Sequence, residues 1–291
     1  MISVNDFKEY KIIDMNNFEK LEDWNGVILR RPDPQIIWKK EVNKELWENV
    51  DAKYNRSNTG GGHWEIKRNI KNSWIINYKD MAFNLKLMNF KHTGLFPEQA
   101  ANWNFIREKL HGTKNKKVLN LFAYTGASTI AALKEGASVV HVDSSKGMVT
   151  WAKENIVLNN LQDKNVRYIV DDVIKFVKRE IRRGNKYDGI IMDPPSFGKG
   201  SSGEVWKFEK NFFLLLELTS KLLTDDALFV LISSYTTGFS KTIIKNCVIN
   251  SIIKEHGGKV TSDEIGVTSE IGEELPCGIS TRWERCWWPL H

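Results

Sequence analysis

The chain has 291 residues, 41% of them hydrophobic and 27% charged, with a formal net charge of +6. That mixture suits a globular protein and excludes a membrane span, since no apolar run approaches the ~20 residues a bilayer requires. Cys247, Cys277 and Cys286 are too few and scattered for a disulfide framework and share no ligand spacing with the six histidines, so no metal is expected.

The amino terminus, MISVNDFKEYKIIDM, lacks a basic-then-apolar leader, and a cytoplasmic protein is expected. Residues 1–90 carry short apolar runs, many tryptophans and several turn signals. Pro32 and Pro34 flank Asp33 and restrict the backbone to a rigid turn. NTGGGHWE (58–65) reads as a loop. In MAFNLKLM (81–88), Phe83, Leu85 and Leu87 alternate with Asn84 and Lys86, the period of a half-buried strand. A small β-rich domain is expected over 1–90 and a second domain over 91–291.

QAANWNFIREKLHG (99–112) has helical spacing and a glycine stop. Apolar strands follow at 117–123, 138–143, 166–170, 187–193 and 227–233, alternating with helical stretches near 126–135, 145–160, 172–183 and 208–223. Strands apolar throughout, alternating with helices, predict a parallel sheet covered on both faces. EIGVTSE and GISTRWERCWW fit a closing hairpin.

Chemistry-bearing residues fall at four strand ends. In VLNLFAYTGAST (118–129) a strand leads through Thr125 and Gly126 into a helix, whose first N–H groups are free, and Gly126 would let a ligand approach the backbone. A dinucleotide needs more glycine than this turn supplies, and Phe122 and Tyr124 would crowd a diphosphate. Asp143, about 20 residues on, suits both hydroxyls of a ribose or the cap of the next helix. Asp171 and Asp172 suit an adenine amino group, or again a cap. MDPPSFGKG (192–200) is the most specific stretch: its prolines stop the strand and stiffen the loop, so that Asp193 and backbone carbonyls would face the crevice.

Together with HTGLFPEQAANW (92–103), VVHVDSS (139–145), YIVDDV (168–173), LRRPDPQIIW and GGGHWE, these strand ends resemble class I S-adenosylmethionine-dependent methyltransferases. Within that class the chain is similar to the large-subunit ribosomal RNA cytosine-C5 methyltransferases and their shorter relatives. The resemblance implies an α/β fold: a Rossmann-like, doubly wound, mostly parallel seven-stranded sheet after a small β-rich domain. It also implies S-adenosylmethionine as cofactor. Leu121, Phe122, Ala123 and Gly126 would line its methionine end, Asp143 its ribose and Asp172 its adenine. Phe96 and Gln99 would close the site. Asn120, Tyr124 and Thr125 belong to the same turn, Ser144 and Ser145 follow Asp143, and Asp171, Val173 and Asp193 complete the cofactor set.

Two positions depart from the family pattern. Ala100 stands where an arginine is usual, and LISSYTTGFS (231–240) has no cysteine where cytosine-C5 enzymes carry their nucleophile. Direct transfer to a nitrogen or oxygen acceptor is therefore expected. Asp193 would orient the acceptor or take its proton, Pro194 and Pro195 would fix the loop, and Phe197 and Tyr235 would border the acceptor ring. RNA, most simply ribosomal, is the expected partner. A small-molecule or protein acceptor, or an RNA-binding relative without turnover, stays open.

Overall fold

A computed structural model describes residues 1–57, 61–200 and 203–285. The chain divides into two compact units, Ser3–Ala101 with Gly266–Cys277, and Asn102–Ile265 with the residues from Gly278 onward.

The first unit opens as an antiparallel meander of β1 (Tyr10–Asn16), β2 (Glu19–Trp24) and β3 (Ile28–Pro32). Asn25 and Gly26 join β2 to β3 with φ of +58° and +86°, the primed turn that an Asn-Gly pair favours. β3 ends at Pro32, and the chain turns through Asp33, whose carbonyl accepts from Ile36 N. Helix α1 (Lys44–Glu48) is capped by the Asn43 side chain. β4 (Ala52–Arg56) pairs in parallel with β3 and antiparallel with β5 (Gly62–Ile66), completing five strands in the order β1-β2-β3-β4-β5. β6 (Trp74–Tyr78) and β7 (Met81–Leu85) form a separate hairpin; Phe83 and Leu85 are buried on one face as expected, together with Met81, whereas Leu87 lies beyond the strand and is half-buried.

NTGGGHWE corrects the sequence reading. Residues 58–60 lie outside the described residues, but Gly62 to Glu65 are strand, not loop. A Cβ on Gly62 would run into the Asn55 carbonyl and the Tyr54 ring, so this glycine permits strand contact rather than a turn.

Helix α2 (Ala100–Leu110) leads into the second unit. Its parallel strands are β8 (Lys117–Leu121), β9 (Ser138–Asp143), β10 (Val166–Val170), β11 (Gly189–Met192) and β14 (Phe229–Ser234). Between them run α3 (Ala127–Lys134), α4 (Lys146–Leu158), α5 (Val173–Arg182) and α6 (Phe208–Ser220). The closing hairpin is β15 (Lys259–Thr268) and β16 (Glu274–Glu284), the latter antiparallel to β14. The sheet order β10-β9-β8-β11-β14-β16-β15 is the expected doubly wound arrangement of seven strands, mostly parallel. Its order reverses between β8 and β11, so the ligand crevice of such sheets opens at the ends of these strands.

Three elements were not legible beforehand. β12 (Phe197–Lys199) and β13 (Val205–Lys207) pair as a small hairpin beyond the two prolines. Residues 201 and 202 of that stretch lie outside the described residues, as does Cys286. Helix α7 (Lys241–Val248) continues through a π-turn at Ile249–Ile253 into α8 (Lys254–His256). Among the described residues no helix is long and apolar enough to cross a membrane.

Candidate active site

The turn after β8 carries backbone tension. Phe122, Tyr124 and Gly126 alternate through the left-handed region with φ of +55°, +50° and +88°. Each non-glycine residue held there costs on the order of 1 kcal/mol, so the surroundings must enforce it. They do so on three sides. Ala123 N donates to the Val142 carbonyl at 3.0 Å, Tyr124 N to Asp143 Oδ2 at 2.9 Å, and Asn155 Nδ2 to the Thr125 carbonyl at 2.9 Å. A Cβ on Gly126 would meet the Ala152 methyl at 3.1 Å. The glycine answers to its positive φ and to α4 packed against it.

Beneath the turn lies a buried polar chain. Asn120 Nδ2 donates to Thr129 Oγ1 at 3.0 Å, and that hydroxyl meets His141 Nδ1 at 2.9 Å. Asn120 thus spends its side chain below the turn. Since Thr129 accepts from Asn120, its proton goes to Nδ1, which leaves the His141 hydrogen on Nε2, a buried atom with no hydrogen-bond partner among the described residues. Burial holds His141 down to about 3, so the ring is neutral.

At the end of β9, Asp143 is not a helix cap: Ser145 caps α4, accepting from Met148 N, and Ser144 is exposed. The Asp143 carboxylate instead accepts from Tyr124 N and from Ser145 N at 2.8 Å. Burial raises its pKa, and the two backbone N–H groups pull the other way. Each oxygen keeps a lone pair. Asp171 N donates to the Asp143 carbonyl, which seats the end of β10 beside it. Asp171 is engaged with Asp172 N and the Arg179 guanidinium. Asp172 caps α5 through one oxygen, leaving the other unspent among the described residues. The Val173 side chain is buried in the core.

Beyond β11, Asp193 N reaches the Leu121 carbonyl at 3.4 Å, so the loop starts at the switch point itself. Pro194 is buried, whereas Pro195, Ser196 and Phe197 are exposed. Two of the loop carbonyls expected to face the crevice are spent within the protein. The Pro195 carbonyl accepts from Trp206 Nε1 at 2.6 Å and that of Ser196 from Phe208 N at 3.1 Å. The Pro194 carbonyl accepts no hydrogen bond among the described residues. Ser196 Oγ meets Thr236 Oγ1 at 3.0 Å, tying the loop to the segment after β14. There the Tyr235 ring lies across Gly278, where a Cβ would come within 2.7 Å of it.

A family of known proteins matches this arrangement. Residues 50–245 fit the sequence model of S-adenosylmethionine-dependent methyltransferases. The chain belongs to that family. A S-adenosylmethionine-dependent methyltransferase from Agrobacterium tumefaciens is 32% identical and superposes with a TM-score of 0.93 over 98% of this chain and 93% of that one. The ribosomal RNA large subunit methyltransferase K/L of Colwellia psychrerythraea is 31% identical over 176 residues, which cover 60% of this chain and 24% of that relative. The chain thus spans about a quarter of that relative's length. A methyltransferase structure complexed with SAH, 20% identical, shares the fold with a TM-score of 0.75 over 96% of this chain and 76% of that one.

The family depends on S-adenosylmethionine, and the strand ends fit that cofactor. A carboxylate held by two N–H groups with lone pairs left suits a diol, and Asp172 offers an acceptor to an amine. Phe96 and Gln99 belong to the first unit, at the start and end of a 3₁₀ turn (Pro97–Gln99), with the Phe96 ring 5.2 Å from that of His92. Ala100 is fully buried at the start of α2.

Sequence reading missed Trp206. Besides holding the Pro195 carbonyl, its ring meets Phe122 edge-on, with centroids 5.0 Å apart. A large aromatic directly after a glycine-rich stretch was the available signal. His141 and Thr129 were also missed, being polar residues inside elements that read as apolar.

Proposed function

We propose that this methyltransferase modifies a base of RNA, ribosomal RNA being the first candidate, by direct transfer to a nitrogen or oxygen without a covalent enzyme–base intermediate. The reading places it in the cytoplasm with its substrate. The observation that carries it is the make-up of the β14 end, where Ser233, Ser234 and Tyr235 stand and no thiol does. Cys247 is in α7, and burial raises its pKa. Cys277 is pushed well above its ordinary value, first by burial and then by Glu98, with Asp33 and Glu22 adding to it and Lys20 opposing. Neither thiol is set to form the thiolate that base addition needs. The names of the ribosomal RNA methyltransferases, and the +6 charge, support RNA as acceptor.

The cofactor supplies an electrophilic methyl group on a sulfonium. Leu121 to Gly126 would hold its methionine end, Asp143 its ribose and Asp172 its adenine. The remaining work is alignment, because an in-line displacement is fast when donor and acceptor are held near contact. Asp193 orients the acceptor or takes its proton, the Pro194 carbonyl receives an acceptor N–H, and Phe197 and Tyr235 border the ring.

Incubation with methyl-labelled cofactor and separate RNA, protein and metabolite pools tests the acceptor class. Label is expected in RNA, and label confined to the other pools refutes the reading. RNA containing 5-fluorocytidine tests the route: a stable adduct lost on mutating Cys247 or Cys277 would refute direct transfer.

A further inference from the structure

Away from the methyl-transfer residues, the first unit holds a charged cluster with an uneven balance. Arg31 and Glu22 are both buried and joined by two hydrogen bonds, Nε to Oε2 at 2.5 Å and Nη2 to Oε1 at 2.7 Å. Tyr10 donates to the same carboxylate at 2.7 Å. Lys20 lies 3.3 Å from Asp33 and 3.6 Å from Glu22. Around this matched core stand Lys91 and Arg56, for which no carboxylate lies within ion-pair distance among the described residues. Buried Glu98 also acts on Arg31. Four cations face three carboxylates, and the excess falls on the outer pair.

Lys91 is held ready rather than loose. Its Nζ rests 3.3 Å from the Pro32 carbonyl, and its own carbonyl accepts from Arg31 Nη1 at 2.9 Å. Burial is the main cause that lowers its pKa to about 8; Lys20, Arg31 and Arg56 lower it further and Asp33 opposes them. An ammonium that its own fold destabilises gains most from an incoming anion, since the anion supplies the missing countercharge. Beside it stands an aromatic patch. Phe90 is 58% exposed, Trp64 Nε1 donates to the Phe90 carbonyl at 3.0 Å, and Trp64 meets Tyr54 edge-on at 5.3 Å. An open aromatic face next to an unmatched cation is the combination that holds a stacked base and its phosphate.

We infer that Lys91, with Arg56, is a docking site for a backbone phosphate of the single-stranded nucleic-acid acceptor, and that Phe90 is the platform for the adjoining base. The site rests on the RNA reading above. Charge complementarity selects the occupant: an acidic peptide would match the cations but would leave Phe90 bare. Arg31 takes no part in binding, because Glu22 already occupies its donors. Its role is to fix the Lys91 backbone.

Fluorescence anisotropy of a labelled single-stranded RNA, titrated at several salt concentrations, tests the site. The proteins compared are the unaltered chain, Lys91→Gln, Phe90→Ala and a control, Lys259→Gln, exposed at the start of β15. Lys91→Gln is expected to weaken binding about five- to tenfold at ~100 mM salt and to flatten the log–log salt slope by about 0.7, the value for one phosphate of a single strand. Phe90→Ala is expected to weaken binding about tenfold with the salt slope unchanged, as loss of stacking does. Lys259→Gln should match the unaltered chain. RNA bound equally by all four proteins overturns the site and leaves the RNA reading standing. RNA bound by none of them overturns that reading and the site with it. Circular dichroism and melting of each variant separate misfolding from lost contact. If Lys91→Gln melts early, protection of Lys91 from amine acylation by pyrophosphate in the unaltered chain decides: protection supports the site, and unchanged labelling refutes it.

Discussion

Trp206 donates its indole N–H to the Pro195 carbonyl at 2.6 Å, so the small β12–β13 hairpin holds the loop that follows β11. Because the same ring meets Phe122, one residue braces both the cofactor turn and the acceptor loop. Trp206→Phe keeps most of the ring and removes the donor. Stability should fall by about 1 kcal/mol, the cost of an unmet carbonyl. The single-turnover rate should fall about tenfold through misalignment, with cofactor affinity held within about twofold. Chemical denaturation and rapid-quench kinetics measure the two effects, and equal losses in both would contradict the bracing role.

Asp193→Asn keeps the shape of the side chain and removes its charge. If Asp193 orients the acceptor or takes its proton, the methyl-transfer rate should drop by a factor on the order of 10² to 10⁴ while folding and cofactor binding persist. Titration calorimetry with S-adenosylhomocysteine alongside the rate assay distinguishes this from a structural role, in which stability and rate would decline together.

Asp143 provides a pH signature. Its pKa is raised in the folded chain, so the folded state binds this proton more tightly than the unfolded chain does. Its contribution to stability therefore declines as pH rises through the window between the ordinary and the raised value. Cofactor binding has the opposite sense, since ribose hydroxyls need the ionised form as acceptor. Affinity measured from about pH 4 to about pH 7 should rise with pH, and Asp143→Asn should flatten that rise.

His141 and His92 act on stability at mildly acid pH. Both are held down to about 3, in each case first by burial; Arg31, Lys91 and Lys20 add to this for His92, and the Tyr124 carbonyl opposes it for His141. The unfolded chain binds these protons first, so stability present above the ordinary histidine value is lost as pH falls toward the folded one. At about pH 5 each histidine should cost about 2 kcal/mol. Urea denaturation at neutral and acid pH measures the loss, and His141→Asn should recover roughly half of the acid sensitivity.

The strand ends of the second unit were legible because parallel strands covered on both faces leave apolar runs, as in GIIM of β11 and FVLI of β14. Turn chemistry was less visible. Asn25-Gly26 carried a direct hairpin signal, yet the strands it joins bury Glu22 and Arg31, and a search for apolar alternation passes over buried ion pairs. Gly62 misled for a related reason, as its glycine serves close strand contact and not a turn. In the site, the residues named at the strand ends were found there, but their duties were not all readable. Which carbonyls of the DPPS loop are spent depends on Trp206 and Phe208, 11 and 12 positions downstream of their acceptors.

The tip of the closing hairpin has a consequence for how this protein can be taken apart or recombined. Gly266–Cys277 belongs to the first unit although β15 and β16, the strands that carry it, begin and end in the second. It is joined there by Lys11 to Glu270 at 2.8 Å, Lys40 to Glu273 and Glu270 N to the Ile12 carbonyl at 2.9 Å. A single cut near residue 101 therefore yields no whole piece. The upstream fragment loses twelve of its own residues, and the downstream fragment retains a foreign loop. Gene fusions or exchanges with relatives must transfer two separated stretches at once to keep the first unit whole, even though each unit has its own sheet.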